Sequence, residues 1–297
     1  MLQHLLESAL RQTMNRLVRP VLNPAVPVPL QRRIVRQAYR SSIPPKGAKF
    51  EATTVGGIPV TRTSFSNNPH GAVLYLHGGG YIIGSSSTHL GITGHLAKTS
   101  NCSIVTPDYR LAPEFPFPAA LDDAEACWNG LLEEGFKPEQ IAVAGDSAGG
   151  GLAVALAMRL RDKHQSLPAS LTVFSPWVDL TQEQLYEPEC EPVLQPSWTS
   201  KAAKLYAGEE ALTNPLISPV FGDLSGLPPL LIQVGSQEIL LNDAERLAEA
   251  ANLQDVEARL EVYNSLWHVF QVHSGQLYRA TKAMETAGEH IKRHLAD

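Results

Sequence analysis

Three side chains of the kind used in nucleophilic catalysis occur along the chain in the order serine, carboxylate, histidine. Ser147 lies in Gly145-Asp-Ser-Ala-Gly149, which follows the apolar run Ile141–Ala144 and precedes a helical pattern. A G-x-S-x-G sequence in this context forms a sharp strand-to-helix turn that exposes the serine hydroxyl. Glycines on either side leave room for such a turn. The pattern therefore predicts that Ser147 is a nucleophile.

A serine hydroxyl needs a neighbouring base, and the base needs a carboxylate that orients it. His268 follows the apolar run Leu260–Tyr263, and Glu238 follows the run Leu230–Val234. Asp243 is an alternative acid a little further along the chain. We favour Glu238, because it lies in the loop that leaves the strand, whereas an aspartate that opens a helix is commonly a first-turn charge.

A glycine-rich segment, His77-Gly-Gly-Gly-Tyr81, follows the apolar run Ala72–Leu76. Such a segment is typical of an oxyanion loop, in which backbone N–H groups approach the negative oxygen of a tetrahedral intermediate. His77 is expected to hold the loop by hydrogen bonding, without touching substrate. We expect the donors to be the amides of Gly78, Gly79 and Ala148.

Short apolar runs alternate with helical patterns along most of the chain. Runs rich in Val, Ile and Leu suit strands buried on both faces, and the alternation favours an α/β fold with a mostly parallel sheet. The first two strands, separated by Gly56-Gly57, are expected to form an antiparallel edge hairpin. The predicted strands are Phe50–Val55, Ile58–Ser64, Ala72–Leu76, Ser103–Pro107, Ile141–Ala144, Leu171–Phe174, Leu230–Val234 and Leu260–Tyr263. The predicted helices are about Leu90–Lys98, Ala119–Glu134, Ala148–Lys163, Ala244–Ala251 and Gln276–His294.

Two segments depart from this alternation. Near the N-terminus, apolar residues recur at spacings of three and four between Leu2 and Val18, which predicts an amphipathic helix. We favour a helix over the protein's own apolar groove, with a membrane-surface anchor as the alternative. The stretch after Leu180 has no clear strand and only a helical piece near Lys201–Tyr206. A long insertion of this kind in a compact domain is usually functional. We therefore expect a helical cap from residues 1–45 and 181–227, and a catalytic domain from residues 46–180 and 228–297.

The composition excludes several classes of protein. The net charge is -6, with 24 Lys and Arg against 30 Asp and Glu, so no basic surplus is present to bind nucleic acid. The 3 cysteines are far apart and form no CxxC pair, which predicts neither disulfides nor a zinc site and favours a reducing cytoplasm. No apolar run reaches the roughly 18 residues of a membrane span. His290 and His294 lack the HExxH pattern of a helical metal site, so we expect neither metal nor cofactor.

Together these segments resemble the hormone-sensitive-lipase-like family of α/β-hydrolase esterases. The resemblance implies an eight-stranded, mostly parallel sheet with a helical cap. It also implies a serine carboxylesterase that hydrolyses small esters with short to medium acyl chains. The similarity extends from about Gly71 to Phe270 and rests on His77-Gly-Gly-Gly-Tyr81, Asp108-Tyr-Arg-Leu-Ala-Pro-Glu114, Gly145-Asp-Ser-Ala-Gly-Gly150, Ser175-Pro-Trp-Val-Asp179 and Trp267-His-Val-Phe270.

The resemblance has further implications, and the chain departs from the family at two positions. The family's acid is more often aspartate than the glutamate found at Glu238, and Phe115 stands where histidine often follows Pro-Glu. The last strand and helix are implied to form a homodimer contact. The family pattern implies that three residues buttress the oxyanion loop without acting on substrate, namely Asp108, Tyr109 and Arg110.

Two other functions use the same scaffold. An amidase or peptidase would need the same serine, histidine and oxyanion hole, so these motifs do not exclude it. A non-catalytic ligand-binding homologue is the other alternative, as in plant gibberellin receptors, which resemble this family but have lost the histidine. Here His268 is present, which favours an enzyme.

Overall fold

An eight-stranded sheet organises the protein, as the computed structural model of residues 2–38 and 42–296 shows. Its strand order is β1-β2-β4-β3-β5-β6-β7-β8. Strand β2 pairs antiparallel with β1 and with β4, and every other pair is parallel. The strands are β1 (Lys49–Val55), β2 (Ile58–Ser64), β3 (Ala72–Leu76), β4 (Ser103–Pro107), β5 (Ile141–Asp146), β6 (Leu171–Phe174), β7 (Leu230–Gly235) and β8 (Ala258–Tyr263). This architecture confirms the predicted α/β-hydrolase fold with its antiparallel edge hairpin.

Burial explains why the central strands are mainly apolar. Every residue of β3 to β7 is buried, because helices cover both faces of the sheet. Successive side chains point to opposite faces, so Leu74 and Val143 join one apolar cluster while Val73 and Ala142 join the other. The edge strands β1 and β8 are half-exposed.

The helices divide between the two faces. Buried residues of α4, α5 and α7 join one cluster, and those of α3 and the second half of α8 join the other. Helix α7 begins three residues before its predicted start, at Leu241. The helices are α1 (Leu2–Thr13), α2 (Val28–Ala38), α3 (Leu90–Ser100), α4 (Ala119–Glu133), α5 (Ala148–Asp162), α6 (Pro196–Ala207), α7 (Leu241–Leu253) and α8 (Tyr278–His294).

The N-terminal segment and the insertion are both more helical than the sequence indicated. Helix α1 continues into a π-helical turn over Met14–Val18. Helix α2 was not predicted, since the prolines around its start indicated a connector; Pro29 lies in its first turn, where a missing N–H is tolerated. Helix α6 extends the predicted helical piece of the insertion. Residues 1 and 39–41 of the predicted N-terminal cap lie outside the described residues.

A matched pair of leucine substitutions tests the packing of α5. Leu152 is fully buried on this helix, so Leu152→Ala should lower the free energy of unfolding by about 2–5 kcal/mol. Leu253, at the end of α7, is 78 % exposed, and Leu253→Ala should change the free energy of unfolding by less than about 0.5 kcal/mol. Urea unfolding followed by tryptophan fluorescence measures both. Equal losses would contradict the central position of α5.

Candidate active site

Ser147 occupies the turn between β5 and α5. Its backbone has φ 52 and ψ -120, a conformation that is unfavourable for a residue with a side chain and that tight packing must hold. The turn fits only because its neighbour is glycine: a Cβ on Gly149 would lie 2.0 Å from the carbonyl oxygen of Leu76. The predicted strand–turn–helix context of Ser147 is therefore present.

A cavity of about 800 Å³, open mouth included, lies over this turn. Ser147 and His268 both line it, so the structure brings the predicted nucleophile and base to one cavity. Its other walls are mainly apolar and come from segments far apart in sequence. The N-terminal segment contributes Met14, Val18, Leu22 and Val35, and the insertion contributes Val193, Leu194 and Trp198.

Glu238 and His268 form a direct pair at the carboxyl edge of the sheet. The imidazole Nδ1 of His268 lies 2.7 Å from Oε2 of Glu238. The other carboxylate oxygen, Oε1, accepts hydrogen bonds from the Ser175 hydroxyl at 2.8 Å and from the Gly235 amide at 2.7 Å. Glu238 has no exposed surface, so these three partners replace the water that it loses. The carboxylate is thereby fixed against the imidazole.

The surroundings of His268 favour its protonated form. Burial alone would lower the pKa of His268, but the hydrogen bond and negative charge of Glu238 outweigh burial. The carboxylates of Glu191 and Asp146 act in the same direction, so the pKa is raised above its ordinary value of 6.5. Such an imidazole readily takes a proton from a nearby hydroxyl.

Asp243, the alternative acid, has a different role. It lies in the first turn of α7, as expected, and its Oδ2 accepts the amides of Val178 and Asp179, each at 2.9 Å. Burial raises the pKa of Asp243 to about 7, although these two amides oppose the shift. The structure thus pairs His268 with Glu238 and uses Asp243 to hold the segment that follows β6.

The first glycine of the oxyanion loop bonds to a buried carboxylate. The amide of Gly78 donates to Oδ1 of Asp146 at 3.1 Å, so it already has an acceptor inside the protein. Gly79 and Gly80 line the cavity instead. The buried carboxylate of Asp146 needs donors, and the first glycine of the loop is within its reach, which favours Gly79 and Gly80 over Gly78 as candidate donors.

His77 has the supporting role that the sequence predicted. Its Nδ1 lies 2.8 Å from the carbonyl oxygen of Gly78, within hydrogen-bonding distance. Burial, reinforced by nearby His89, lowers the pKa of His77 to about 3, so the ring is neutral and its Nδ1–H can donate to that carbonyl. The ring stacks on Tyr109 with centroids 4.2 Å apart, and the Tyr109 hydroxyl donates to the His77 carbonyl at 2.6 Å. These contacts fix the shape of the loop.

The two residues on either side of Tyr109 bond to segments next to the oxyanion loop. Asp108 accepts the amide of Ser86 at 2.7 Å, and Arg110 pairs with Asp123 of α4 at 2.7 Å. Of the three residues that the resemblance implied as a buttress, Tyr109 touches the oxyanion loop directly. Asp108 and Arg110 hold the segments on either side of it.

A buried network beneath the nucleophile was missed by sequence reasoning. Asp146 accepts the Tyr75 hydroxyl at 2.7 Å and lies 3.4 Å from Nε2 of His89. Burial alone would raise the pKa of Asp146, but the charge and hydrogen bond of His89 lower it. The same ion pair raises the pKa of His89 against the effect of burial. A charged residue inside an otherwise apolar strand and turn was the signal that could have revealed this network.

The described residues, 2–38 and 42–296, contain neither a metal-ligand cluster nor a membrane-spanning helix. No cluster of three or more His, Cys, Asp or Glu side chains has the arrangement of a metal site there. Within the same residues, no helix combines the length and apolar character needed to cross a bilayer. The cysteines Cys102, Cys127 and Cys190 are free thiols.

Comparison with known proteins agrees with the fold. A family model for the alpha/beta hydrolase fold matches residues 73–272. The acetyl-hydrolase of Streptomyces hygroscopicus is 40% identical over 223 residues, which cover 74% of this chain and 75% of that protein. An esterase from the bacterial hormone-sensitive lipase family is 34% identical with a TM-score of 0.89, over 98% of each chain. EstE5, in a crystal soaked with p-nitrophenyl butyrate, is 34% identical with a TM-score of 0.90, over 97% of this chain and 98% of that one.

The chain therefore belongs to the α/β-hydrolase fold family. Within this family it is a member of the hormone-sensitive-lipase-like esterases, which are hydrolases of the serine esterase type. The resemblance carried by its five sequence segments is confirmed.

Two carboxamide substitutions distinguish the two candidate acids. Glu238→Gln keeps the size of the side chain but removes the charge that orients and stabilises the imidazole, so kcat should fall by about 10³- to 10⁴-fold. Asp243→Asn should lower the free energy of unfolding by about 1–3 kcal/mol, because a buried amide can keep only part of the hydrogen bonding. Its kcat should stay within a few-fold of wild type. Ester hydrolysis and urea unfolding measure the two effects, and the reverse ranking of kcat would identify Asp243 as the acid.

Proposed function

We propose that the protein hydrolyses carboxylic esters through Ser147, His268 and Glu238 and an acyl-enzyme intermediate. The observation that carries this proposal is the 2.7 Å contact between Glu238 and His268 at the cavity lined by Ser147. The serine lies on a strained turn at the start of α5, where the positive end of the helix dipole favours developing negative charge. No metal or cofactor is required by this chemistry.

The reaction proceeds in two half-reactions. Neutral His268 accepts the hydroxyl proton while Ser147 Oγ bonds to the ester carbonyl carbon, which gives a tetrahedral intermediate. The intermediate collapses, the alcohol leaves with the proton from the imidazolium, and an acyl-serine remains. Water then attacks this ester with the same proton transfers and releases the carboxylic acid. Glu238 orients the imidazole and stabilises its positive charge in both halves.

The oxyanion is bound by backbone amides. We propose Gly79, Gly80 and Ala148 as the donors, since Gly79 and Gly80 line the cavity and Ala148 is the first residue of α5. Loss of one such donor costs roughly 3–4 kcal/mol of transition-state stabilisation in other hydrolases. The contacts of His77 and Tyr109 keep the loop in place before substrate arrives, so little reorganisation is needed during the reaction.

The acyl chain is proposed to lie against the apolar walls of the cavity. Residues 1–45 and 181–227 form the proposed cap, and both segments contribute walls that are chiefly apolar. We propose small esters with short to medium acyl chains as the substrates, since the lining is chiefly apolar with few polar groups near Ser147. The butyrate ester soaked into crystals of EstE5 belongs to this class. A homodimer through β8 and α8, and a cytoplasmic location, stay predictions.

Removal of the nucleophile tests the proposed reaction. With p-nitrophenyl butyrate, Ser147→Ala should lower kcat by about 10⁵- to 10⁶-fold, because no hydroxyl is left to form the acyl-enzyme. Ser225→Ala, which changes an exposed serine outside the cavity lining, is the matched control and should retain wild-type kcat. Comparable hydrolysis by wild type and Ser147→Ala would refute the assignment. A matched butyryl anilide, assayed in parallel, would show whether amides are also cleaved.

The pH profile tests the role of His268. The base must be neutral, and its pKa is raised above 6.5 by Glu238 despite burial. Activity should therefore be full above this pKa and should be lost as the pH falls through it, with a midpoint of kcat/KM above 6.5. Initial rates between pH 5 and 9 measure this limb. A flat profile from pH 5 to 8, or a midpoint well below 6.5, would contradict the role.

A further inference from the structure

The loop that carries Glu238 is held on both sides by the insertion. The amide of Cys190 donates to the Gln237 side-chain oxygen at 2.9 Å. On the other side of Glu238, the amide of Ile239 donates to Oε2 of Glu191 at 2.9 Å. The carbonyl of Ile239 accepts the amide of Tyr186 at 3.0 Å. Two insertion residues thus bond to the backbone of Ile239 and a third to the side chain of Gln237, on either side of the acid.

Glu191 connects this loop to the wall of the cavity. Its second oxygen, Oε1, accepts the amides of Val193 at 2.7 Å and Leu194 at 3.0 Å, and both of these side chains line the cavity. One carboxylate therefore holds a strip of cavity wall and the acid loop at a fixed separation. Arg19, from the N-terminal segment, donates to the carbonyl oxygens of Glu191 and Leu194. The strip is thus held from both parts of the proposed cap.

Glu191 also contributes negative charge near the catalytic imidazole. Burial raises the pKa of Glu191, although His268 and the three amides act in the opposite direction. The charged groups that act on His268 are Glu238, Glu191 and Asp146, in decreasing order of effect. Asp146 is already paired with His89 beneath the nucleophile. Among these three, Glu191 is the carboxylate that belongs to the insertion.

We propose that Glu191 is a positioning residue of the active site, which couples the placement of the cavity wall to the Glu238–His268 pair and stabilises the imidazolium at a distance. The proposal rests on the proposed function, because it requires His268 to be the base. It assigns the insertion a second task besides enclosing substrate. When Val193 and Leu194 are in place, the carboxylate of Glu191 is oriented towards Ile239, and the acid loop is fixed. A displaced wall would release this loop.

Charge-removing and charge-keeping variants test the proposal. In Glu191→Gln, one oxygen remains but an NH₂ group faces an amide donor, so the acid loop should loosen and kcat should fall by about 10-fold or more. Loss of the charge should also lower the pKa of His268, so the acidic limb of kcat/KM should move to lower pH. Glu191→Asp keeps the charge on a shorter side chain, so its limb should stay near that of wild type while kcat falls. Glu189→Gln, an exposed position two residues away, removes the same charge and should change neither.

The readouts separate the possible failures. Initial rates with p-nitrophenyl butyrate from pH 5 to 9 give kcat, KM and the acidic limb for each variant, and thermal unfolding reports folding. A purely structural role would lower kcat in Glu191→Gln without moving the limb, and would overturn the electrostatic part. An unchanged kcat and limb, or an equal shift in Glu189→Gln, would overturn the whole proposal. If Glu191→Gln does not fold, Glu191→Asp decides: a wild-type kcat then refutes positioning. His268→Ala is assayed alongside, since retained activity there would refute the proposed function itself.

Discussion

A buried carboxylate that must replace its lost water is the constraint on which the active site depends. Glu238 has no exposed surface, and an unpaired charge in such a position would cost several kcal/mol. Its partners are the Ser175 hydroxyl, the Gly235 amide and the imidazole of His268. Ser175 also accepts the amide of Val269, directly after the histidine. The same bonds that compensate burial therefore fix the separation between the loop after β7 and the loop after β8.

Three carboxylates at this end of the sheet show how the partners decide the chemistry. Glu238 and Asp146 each face a histidine, and both histidines have a raised pKa in spite of burial. Asp243 instead faces two backbone amides, and burial raises the pKa of this carboxyl to about 7. His268, the partner of Glu238, reaches the cavity beside Ser147, whereas His89, the partner of Asp146, lies beneath the oxyanion loop. Position relative to the cavity, and not the pair itself, therefore separates the pair that we propose as catalytic from the pair that holds the loop.

Much of the sheet could be predicted, because each strand is specified by residues that are neighbours in the sequence. Five of the strands, β3 to β7, are short and mainly apolar runs that end near turn residues, and the predicted limits agree with the observed ones to within two residues. Ser147, Glu238 and His268 could be singled out as candidates because each follows such a run in a fixed chain order, and the structure brings Ser147 and His268 to one cavity. Helix α2 was missed because Pro27 and Pro29 around its start are typical of connectors, although proline is also suited to a first helical turn. The partner of the Gly78 amide could not be predicted, because this acceptor, Asp146, is 68 residues away in sequence.

The walls of the cavity are the part that local patterns cannot specify. The indole N–H of Trp198 in α6 donates to Oε1 of Gln31 in α2 at 3.0 Å, and both residues are buried. Lys201 donates to the Pro24 carbonyl at 2.8 Å, and Gln195 donates to the Arg19 carbonyl at 2.7 Å. These bonds join segments more than 160 residues apart, so each wall has its position only when the other is present. Since neither segment contains the nucleophile, acid or base, substitutions in either can change the shape available to the acyl chain while the reacting groups stay the same. The bond from Glu191 to the Ile239 amide limits this independence, because a wall that moves too far must also move the acid loop.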